Sequence, residues 1–451
     1  MISLWFHSAL LPDGWADKVR IVLDGNAIAR VESNVEPTAD DDRYGIAVPG
    51  LANLHSHAFQ RGMAGLAEVR GPASDSFWTW RDVMYRFVDR LSPDDMQAIA
   101  ELAYIEMLEA GFTRVGEFHY LHHDANGKPY ANIAEMGAHI AQAARETGIA
   151  LTLLPVFYAH SGFGGQPPTQ GQRRFLNDPS SFAKLIDASR SAIAALDNAV
   201  LGIAPHSLRA ITPEELQAIL PLAKDGPIHI HAAEQTREVD DCIAWSGKRP
   251  VEWLLDNAAV DARWCLVHAT QMTKEETARL ARSGAVAGLC PITEANLGDG
   301  IFPAPAYLEA GGRFGIGSDS NVLIDAAEEL RILEYGQRLS LRARNVLAPA
   351  AGRSTGRALF DSVLTGGHQA LGACSFGLRA GAPADLVSLN AAHPALAGRS
   401  GDAILDSWIF TGARLVGCVW RAGVRMVHGG RHKNRELAAQ KYKEVLGRIV
   451  N

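Results

Sequence analysis

Eight short apolar runs recur between residues 46 and 318, each separated from the next by a stretch of helical spacing. They read IAVPGLANL, FTRVGEF, IALTLLPVF, AVLGIAP, GPIHI, WCLVH, AVAGLC and RFGIGS. Strands alternating with helices in this number point to a closed parallel (β/α)8 barrel of the TIM type. Four of the runs end in polar islands: His55-Ser56-His57, His231-Ala232-Ala233-Glu234, His268, and Ser318-Asp319-Ser320. Barrel enzymes keep their active sites at the C-terminal ends of the strands, where these islands fall. An open, doubly wound sheet is the alternative, but it would bring first and last strands together poorly. Three imidazoles and a carboxylate are a donor set that zinc takes, and a catalytic site leaves one position for water. His-x-His on a strand also puts both rings on one face, because side chains repeat with period two. These features alone imply a metal-dependent hydrolase.

The helices between the strands carry their own start signals. Ser92 is an N-cap followed by Pro93, Asp94 and Asp95, with Met96, Ile99, Leu102, Ala103 and Met107 at helical spacing and Gly111 as the stop. Thr212-Pro213-Glu214-Glu215 and Thr273-Lys274-Glu275-Glu276 open two further helices in the same way. Outside the barrel the pattern changes to short strands: SLWFHSALL, KVRIVLDG and AIARVES before it, and ADLVSLN, WIFTG, LVGCVWRAG and RMVHGG after it. The expected division is a small β-sandwich domain from residues 1–47 and 372–430, a barrel over 48–371, and a closing amphipathic helix over 431–451. The stretch 160–175, SGFGGQPPTQGQ in part, is either a mobile lid or an ordinary surface loop.

Composition excludes several partners. A net charge of −7 discourages nucleic acid or an anionic membrane, and no apolar run is long enough to span a bilayer. The opening MISLWFHSALLPDG lacks a basic n-region, so no secretory signal is expected. Cys242, Cys265, Cys290, Cys374 and Cys418 are widely spaced without CxxC, which reads as reduced buried thiols in a cytoplasmic protein.

At Val48-Pro49-Gly50-Leu51-Ala52-Asn53-Leu54-His55-Ser56-His57 the sequence resembles the amidohydrolase superfamily, whose first barrel strand ends in PGL-x-N/D-x-H-x-H. The resemblance extends over the barrel and both flanking β segments. It implies that His55, His57, His231 and Asp319 are metal ligands. It also implies that Glu234 transfers protons and that His268 polarises water or substrate. Asp319 would accept the water proton as well as touch the metal. His229 lies two residues before His231 on the same strand face and is the rival third ligand. The fourth run ends Gly202-Ile203-Ala204-Pro205-His206 without the lysine that bridges two metals in dinuclear relatives, so one metal per chain is implied. Zinc suits three His and an Asp, although iron or manganese would also accept them.

Arginines in loops above the strands can clamp carboxylates in bidentate fashion, and Arg81 and Arg209 are the two candidates. Together HSHAFQRG, GEFHY, APHSLRA, HIHAAEQ and GSDSN resemble more narrowly the formimidoylglutamate deiminase family of histidine degradation. That resemblance implies a small anionic amidine substrate, N-formimino-L-glutamate, converted to N-formyl-L-glutamate and ammonia by a homodimer. Gln60, Arg81, Tyr120, His206 and Arg209 would be its contacts, with packing roles open for Tyr120 and His206. Two other readings stand beside it: deamination of a purine, pteridine or triazine ring, and a catalytically silent barrel acting as a scaffold. Which nitrogen leaves the adduct is not written in the sequence.

Overall fold

The computed structural model describes residues 1–70, 77–373 and 375–450, so Cys374 lies outside the described residues. The barrel strands are Leu51–Ser56, Phe112–His119, Ala150–Phe157, Val200–Leu201 continued by Ala204–Pro205, Ile228–Ala232, Trp264–His268, Val286–Leu289 and Arg313–Ile316. Neighbours pair in parallel throughout. Two junctions close the ring. Ile203 bridges to Ile228 and Ser207 to His231, while Ser56 bridges to Asp319. The second junction is sealed by Asp319 N–H donating to His55 O at 2.9 Å and His57 N–H donating to Asp319 O at 2.9 Å. First and last strands are therefore hydrogen-bonded neighbours, which an open sheet does not allow.

Glycine makes that closure possible. A Cβ on Gly317 would sit 2.7 Å from both the nitrogen and the oxygen of His55, so only a residue without a side chain lets the last strand approach the first. Three helix starts form as their sequences predict, with Ser92, Thr212 and Thr273 accepting from the backbone N–H of Asp95, Glu215 and Glu276. Each such cap is worth about 1 kcal/mol.

The terminal segments share one eight-stranded sheet. Its order is Arg431–His432, Val424–His428, Val416–Arg421, Leu386–Leu389, Asp42–Pro49, Ile2–Leu11, Gly14–Asp24 and Ala27–Glu32. Phe6 and Trp420 meet with ring centroids 6.4 Å apart although two strands lie between theirs. In a flat sheet those strands would be about 14 Å apart, so the sheet curls over a core that also holds Leu4, Ile21 and Leu386. The helix Arg435–Ile449 returns to the barrel, where Tyr442 donates to Arg61 O at 3.0 Å and Arg435 pairs with Glu106 and Glu109.

Three strand expectations are corrected. The run 46–54 is two strands, because Asp42–Pro49 belongs to the outer sheet and the chain enters the barrel after Gly50. AVLGIAP is broken at Gly202-Ile203 into two short pieces. WIFTG is not a strand: Ile404, Leu405, Trp408 and Ile409 bury one side of the helix Ala403–Phe410, a periodicity visible only when the preceding residues are included. The loop 160–175 is pinned at its C-terminal end. Gln172 donates to Tyr158 Oη at 2.9 Å, and buried Arg174 donates to the carbonyls of His123 and Leu91 at 2.9 Å each. Cys242, Cys265, Cys290 and Cys418 are buried free thiols. No helix among the described residues is long and apolar enough to cross a membrane.

Candidate active site

The strand ends that carry the polar islands are also where the backbone is strained. His268 (φ +68°), Asp319 (φ +43°), Ala233 (φ +52°) and Asn321 (φ +54°) all sit in the left-handed region without being glycine. That conformation costs about 1–2 kcal/mol per residue and tends to collect at functional sites. A polar clamp beneath Asp319 holds it. Asn53 donates to Ser318 Oγ at 2.6 Å and accepts from Ser318 N–H at 3.0 Å, while Asn321 donates to His57 O at 3.0 Å.

His55, His57, His231 and Asp319 gather at one buried point with their donor atoms within 4.8 Å of one another. His55 Nε2 is 3.2 Å from His57 Nε2 and 3.1 Å from His231 Nε2, and Asp319 Oδ1 lies 3.4 and 3.3 Å from the first two. His57 and His231 engage backbone carbonyls through Nδ1, of Phe118 at 2.9 Å and of His206 at 3.1 Å. Those bonds fix the proton on Nδ1 and leave Nε2 as a lone pair facing the others. Burial drives His55 down to about 3 and His231 well below its usual range, so these two rings are neutral. Facing lone pairs this close repel unless a cation lies among them. Tetrahedral ligands at 2.0–2.1 Å from zinc are about 3.3 Å apart, which the observed spacings match. The four residues therefore fit a divalent metal. His229 is not among them; its ring turns to the Ala370 carbonyl, 2.7 Å away.

Beside this group, His268 Nε2 stands 3.9 Å from both Glu234 Oε1 and Asp319 Oδ2. Burial pushes the Glu234 carboxyl up to about 7, with His268 and Arg209 opposing the shift. Burial opposes charge on His268, but Glu234, Glu294 and Asp319 together favour its protonated form. On its other side, His268 Nδ1 meets Glu294 Oε1 at 3.2 Å. Glu294 went unrecognised in the sequence, although a glutamate following the Cys290-Pro291 helix start, just past a barrel strand, is a signal that was there to use.

Gln60, Arg81, Tyr120, His206 and Arg209 all line one cavity opening onto the metal group, with Phe77, Trp80, Met84, Tyr85 and Tyr158 as further walls. Gln60 donates to Tyr120 Oη at 2.9 Å, and His206 Nδ1 contacts Ser207 Oγ at 3.1 Å. Arg209 is 8% exposed and forms no ion pair among the described residues. The Nε atoms of Arg81 and Arg209 are buried without hydrogen-bond partners, and both guanidiniums lie over the Trp78 ring, at 4.5 and 5.7 Å. Two cations held on an aromatic shelf, with no ion pair among the described residues, can receive an anionic ligand. Phe77, Trp80, Met84 and Tyr85 share the helix Phe77–Val88, whose aromatic start is visible in the sequence, and Tyr158 joins them from beyond the third barrel strand.

Comparison with known proteins gives the same picture. Residues 46–424 match the amidohydrolase family, and residues 4–45 match the N-terminal domain of the formimidoylglutamate deiminase HutF. A formimidoylglutamate deiminase from Pseudomonas aeruginosa is 52% identical over 457 aligned residues, covering all of both chains. The crystal structure of an amidohydrolase from Brucella melitensis superposes with a TM-score of 0.97 at 57% identity, again over the whole of both chains. An adenosine deaminase from Xanthomonas campestris, solved with bound zinc, shares the fold with a TM-score of 0.82 at 20% identity, over 100% of this chain and 98% of that one. The chain belongs to the amidohydrolase family, on the branch of the formimidoylglutamate deiminases.

Proposed function

We propose that this protein hydrolyses N-formimino-L-glutamate to N-formyl-L-glutamate and ammonia, as a step of histidine degradation, with one zinc ion per chain held by His55, His57, His231 and Asp319. The observation that carries the substrate is the pair of guanidiniums, Arg81 and Arg209, without ion pairs among the described residues, in a cavity that ends at the metal group. A dianionic amino-acid skeleton suits that pair; an uncharged purine or triazine would leave the two guanidiniums without a bound carboxylate to fork onto. The presence of every ligand and proton-transfer group argues against a silent scaffold.

A divalent metal at this site supplies hydroxide near neutral pH. The rest falls to side chains. Asp319, which lines the cavity, takes the proton of the attacking water. Glu234, whose burial raises it to about 7 so that it can both hold and release a proton near neutral pH, delivers one to the terminal nitrogen of the formimino group, so that ammonia rather than an amide anion departs. His268 Nε2, between the two carboxylates, donates to the oxygen of the tetrahedral adduct. Arg209 and Arg81 hold the carboxylates, and Gln60, Tyr120 and His206 border the chain between. The buried free thiols are consistent with a reducing, cytoplasmic setting. A homodimer is the assembly that the family implies, and sedimentation equilibrium tests it.

The deciding experiment incubates zinc-loaded protein with N-formimino-L-glutamate and follows ammonia, N-formyl-L-glutamate and formamide together. Ammonia and N-formyl-L-glutamate in equal amounts support the proposal. Formamide with glutamate would mean that Glu234 protonates the other nitrogen. No turnover, with one metal per chain confirmed, would move the search to ring deamination.

A further inference from the structure

Glu294 is a buried carboxylate outside the cavity wall, yet it touches a residue that lines the cavity. Its Oε1 is fixed by the Cys290 backbone N–H at 2.9 Å, at the point where the chain leaves the seventh barrel strand and enters the helix Pro291–Leu297. The same Oε1 faces His268 Nδ1 at 3.2 Å. A carboxylate can only accept here, so the bond requires a proton on Nδ1.

The His268 ring has two ways to go astray. It can tilt out of plane, and it can turn about its Cβ–Cγ bond, which would exchange Nδ1 for a carbon and carry Nε2 away. His231 blocks the first by stacking on it, with centroids 5.5 Å apart and planes 13° apart. Among the described residues only Glu294 hydrogen-bonds the ring against the second, because the atoms facing Nε2, Glu234 Oε1 and Asp319 Oδ2, are 3.9 Å off and too far to hold it. The residue itself sits at φ +68°, so its backbone is no anchor of low energy either.

We propose that Glu294 is the positioning residue of the site: anchored on the Cys290 amide, it holds His268 Nδ1–H so that Nε2 points between Glu234 and Asp319. This rests on the reading of His268 as a group that works at the reacting atoms. Glu294 does not contact substrate, so its loss acts on turnover and leaves substrate binding alone.

The test uses the metal-loaded full chain with Glu294→Leu and Glu294→Gln. Glu294→Leu removes the acceptor and lowers kcat by about 100-fold or more, with KM within about threefold of the parent. Glu294→Gln keeps an Oε1 that accepts from both Cys290 N–H and Nδ1–H, and recovers most of that rate. The 15N spectrum of histidine-labelled protein, which needs no substrate, shows His268 protonated at Nδ1 in the parent and in Glu294→Gln but not in Glu294→Leu. Three results would overturn the proposal. One is an equal loss in both variants, another is an Nδ1 signal indifferent to Glu294→Leu. The third is metal lost in step with activity, which would make His268, Cys290 and Glu294, whose donor atoms lie within 4.8 Å of one another, a metal-holding trio instead. Parent turnover of N-formimino-L-glutamate, run alongside, reports on the substrate separately from the nitrogen spectrum.

Discussion

Replacing Arg209 by alanine puts the substrate reading at greatest risk. The guanidinium is 8% exposed, has no acidic partner among the described residues, and keeps Nε buried without a bond. Solvent screening is therefore weak, and a bound carboxylate would add a direct hydrogen-bonded partner to the more distant charges of Glu238 and Glu234. Hydrogen bonds to charged groups contribute about 1.5–3 kcal/mol each. A two-pronged contact, discounted for water entering the vacated space, is then worth about 3–4 kcal/mol, or about 10²–10³-fold in kcat/KM. Most of this falls on KM, since the carboxylate is remote from the reacting carbon. Arg209→Lys keeps the charge but not the fork, and recovers about one order of magnitude. The assay is ammonia release at varied N-formimino-L-glutamate, repeated with formimino compounds lacking one carboxylate. The parent should lose as much on one of these compounds as Arg209→Ala loses on the full substrate, and the variant should not discriminate between the two. A kcat/KM within about threefold of the parent for Arg209→Ala would refute the argument that this cation reads a carboxylate.

Other outcomes follow from the same geometry. Removing the metal with a chelator leaves three Nε2 lone pairs facing one another, so the midpoint of thermal unfolding falls and returns on adding one equivalent of zinc; an unchanged midpoint would deny the site its metal. Glu234→Gln, which retains shape but not the proton, lowers kcat by about 10²–10⁴-fold with metal content unchanged by elemental analysis. Gly317→Ala drives a methyl into the His55 backbone and should cost metal stoichiometry or folded yield, measured by metal analysis and circular dichroism. Burial holds His368 down at about 4, against about 6.5 when unfolded. Its neutral ring stabilises the fold above pH 6.5, and that contribution is lost as pH falls from 6.5 towards 4, by up to about 3 kcal/mol. Urea unfolding of His368→Gln at pH 7.5 and pH 4.5 should show a smaller difference between the two conditions than the parent.

The barrel was legible because its strands are apolar runs that stop abruptly at polar residues, a break that burial followed by exposure to a site writes directly into sequence. The four residues that gather at the metal point stood out for that reason, and the structure brings them together. His229 and His231 could not be separated by periodicity alone; the distinction lies in depth, His229 reaching the Ala370 carbonyl from the closing helix Thr355–Ala370. The strand at 46–54 was read as one because Pro49 and Gly50 are compatible with a bend inside a strand as well as with a passage between sheets. Glu294 escaped because its partner His268 lies on another strand end, and neither charge nor spacing announces which loop will fold over which strand end.

The strand Asp42–Pro49 has neighbours from opposite ends of the chain: Ile2–Leu11 on one side and Leu386–Leu389 on the other. On a ribosome, the first is made at once and the second only after the whole barrel has emerged. Throughout that interval one edge of the strand has no ladder to bind, and His55 and His57 wait for Asp319 to complete their site. The site itself waits only for the last barrel strand, because a chain cut short before Asp319 has the histidines but no closure to hold them. Fragments ending before residue 319 should therefore bind a divalent metal weakly, while a chain that extends past Asp319 can join its first and last barrel strands at the metal point.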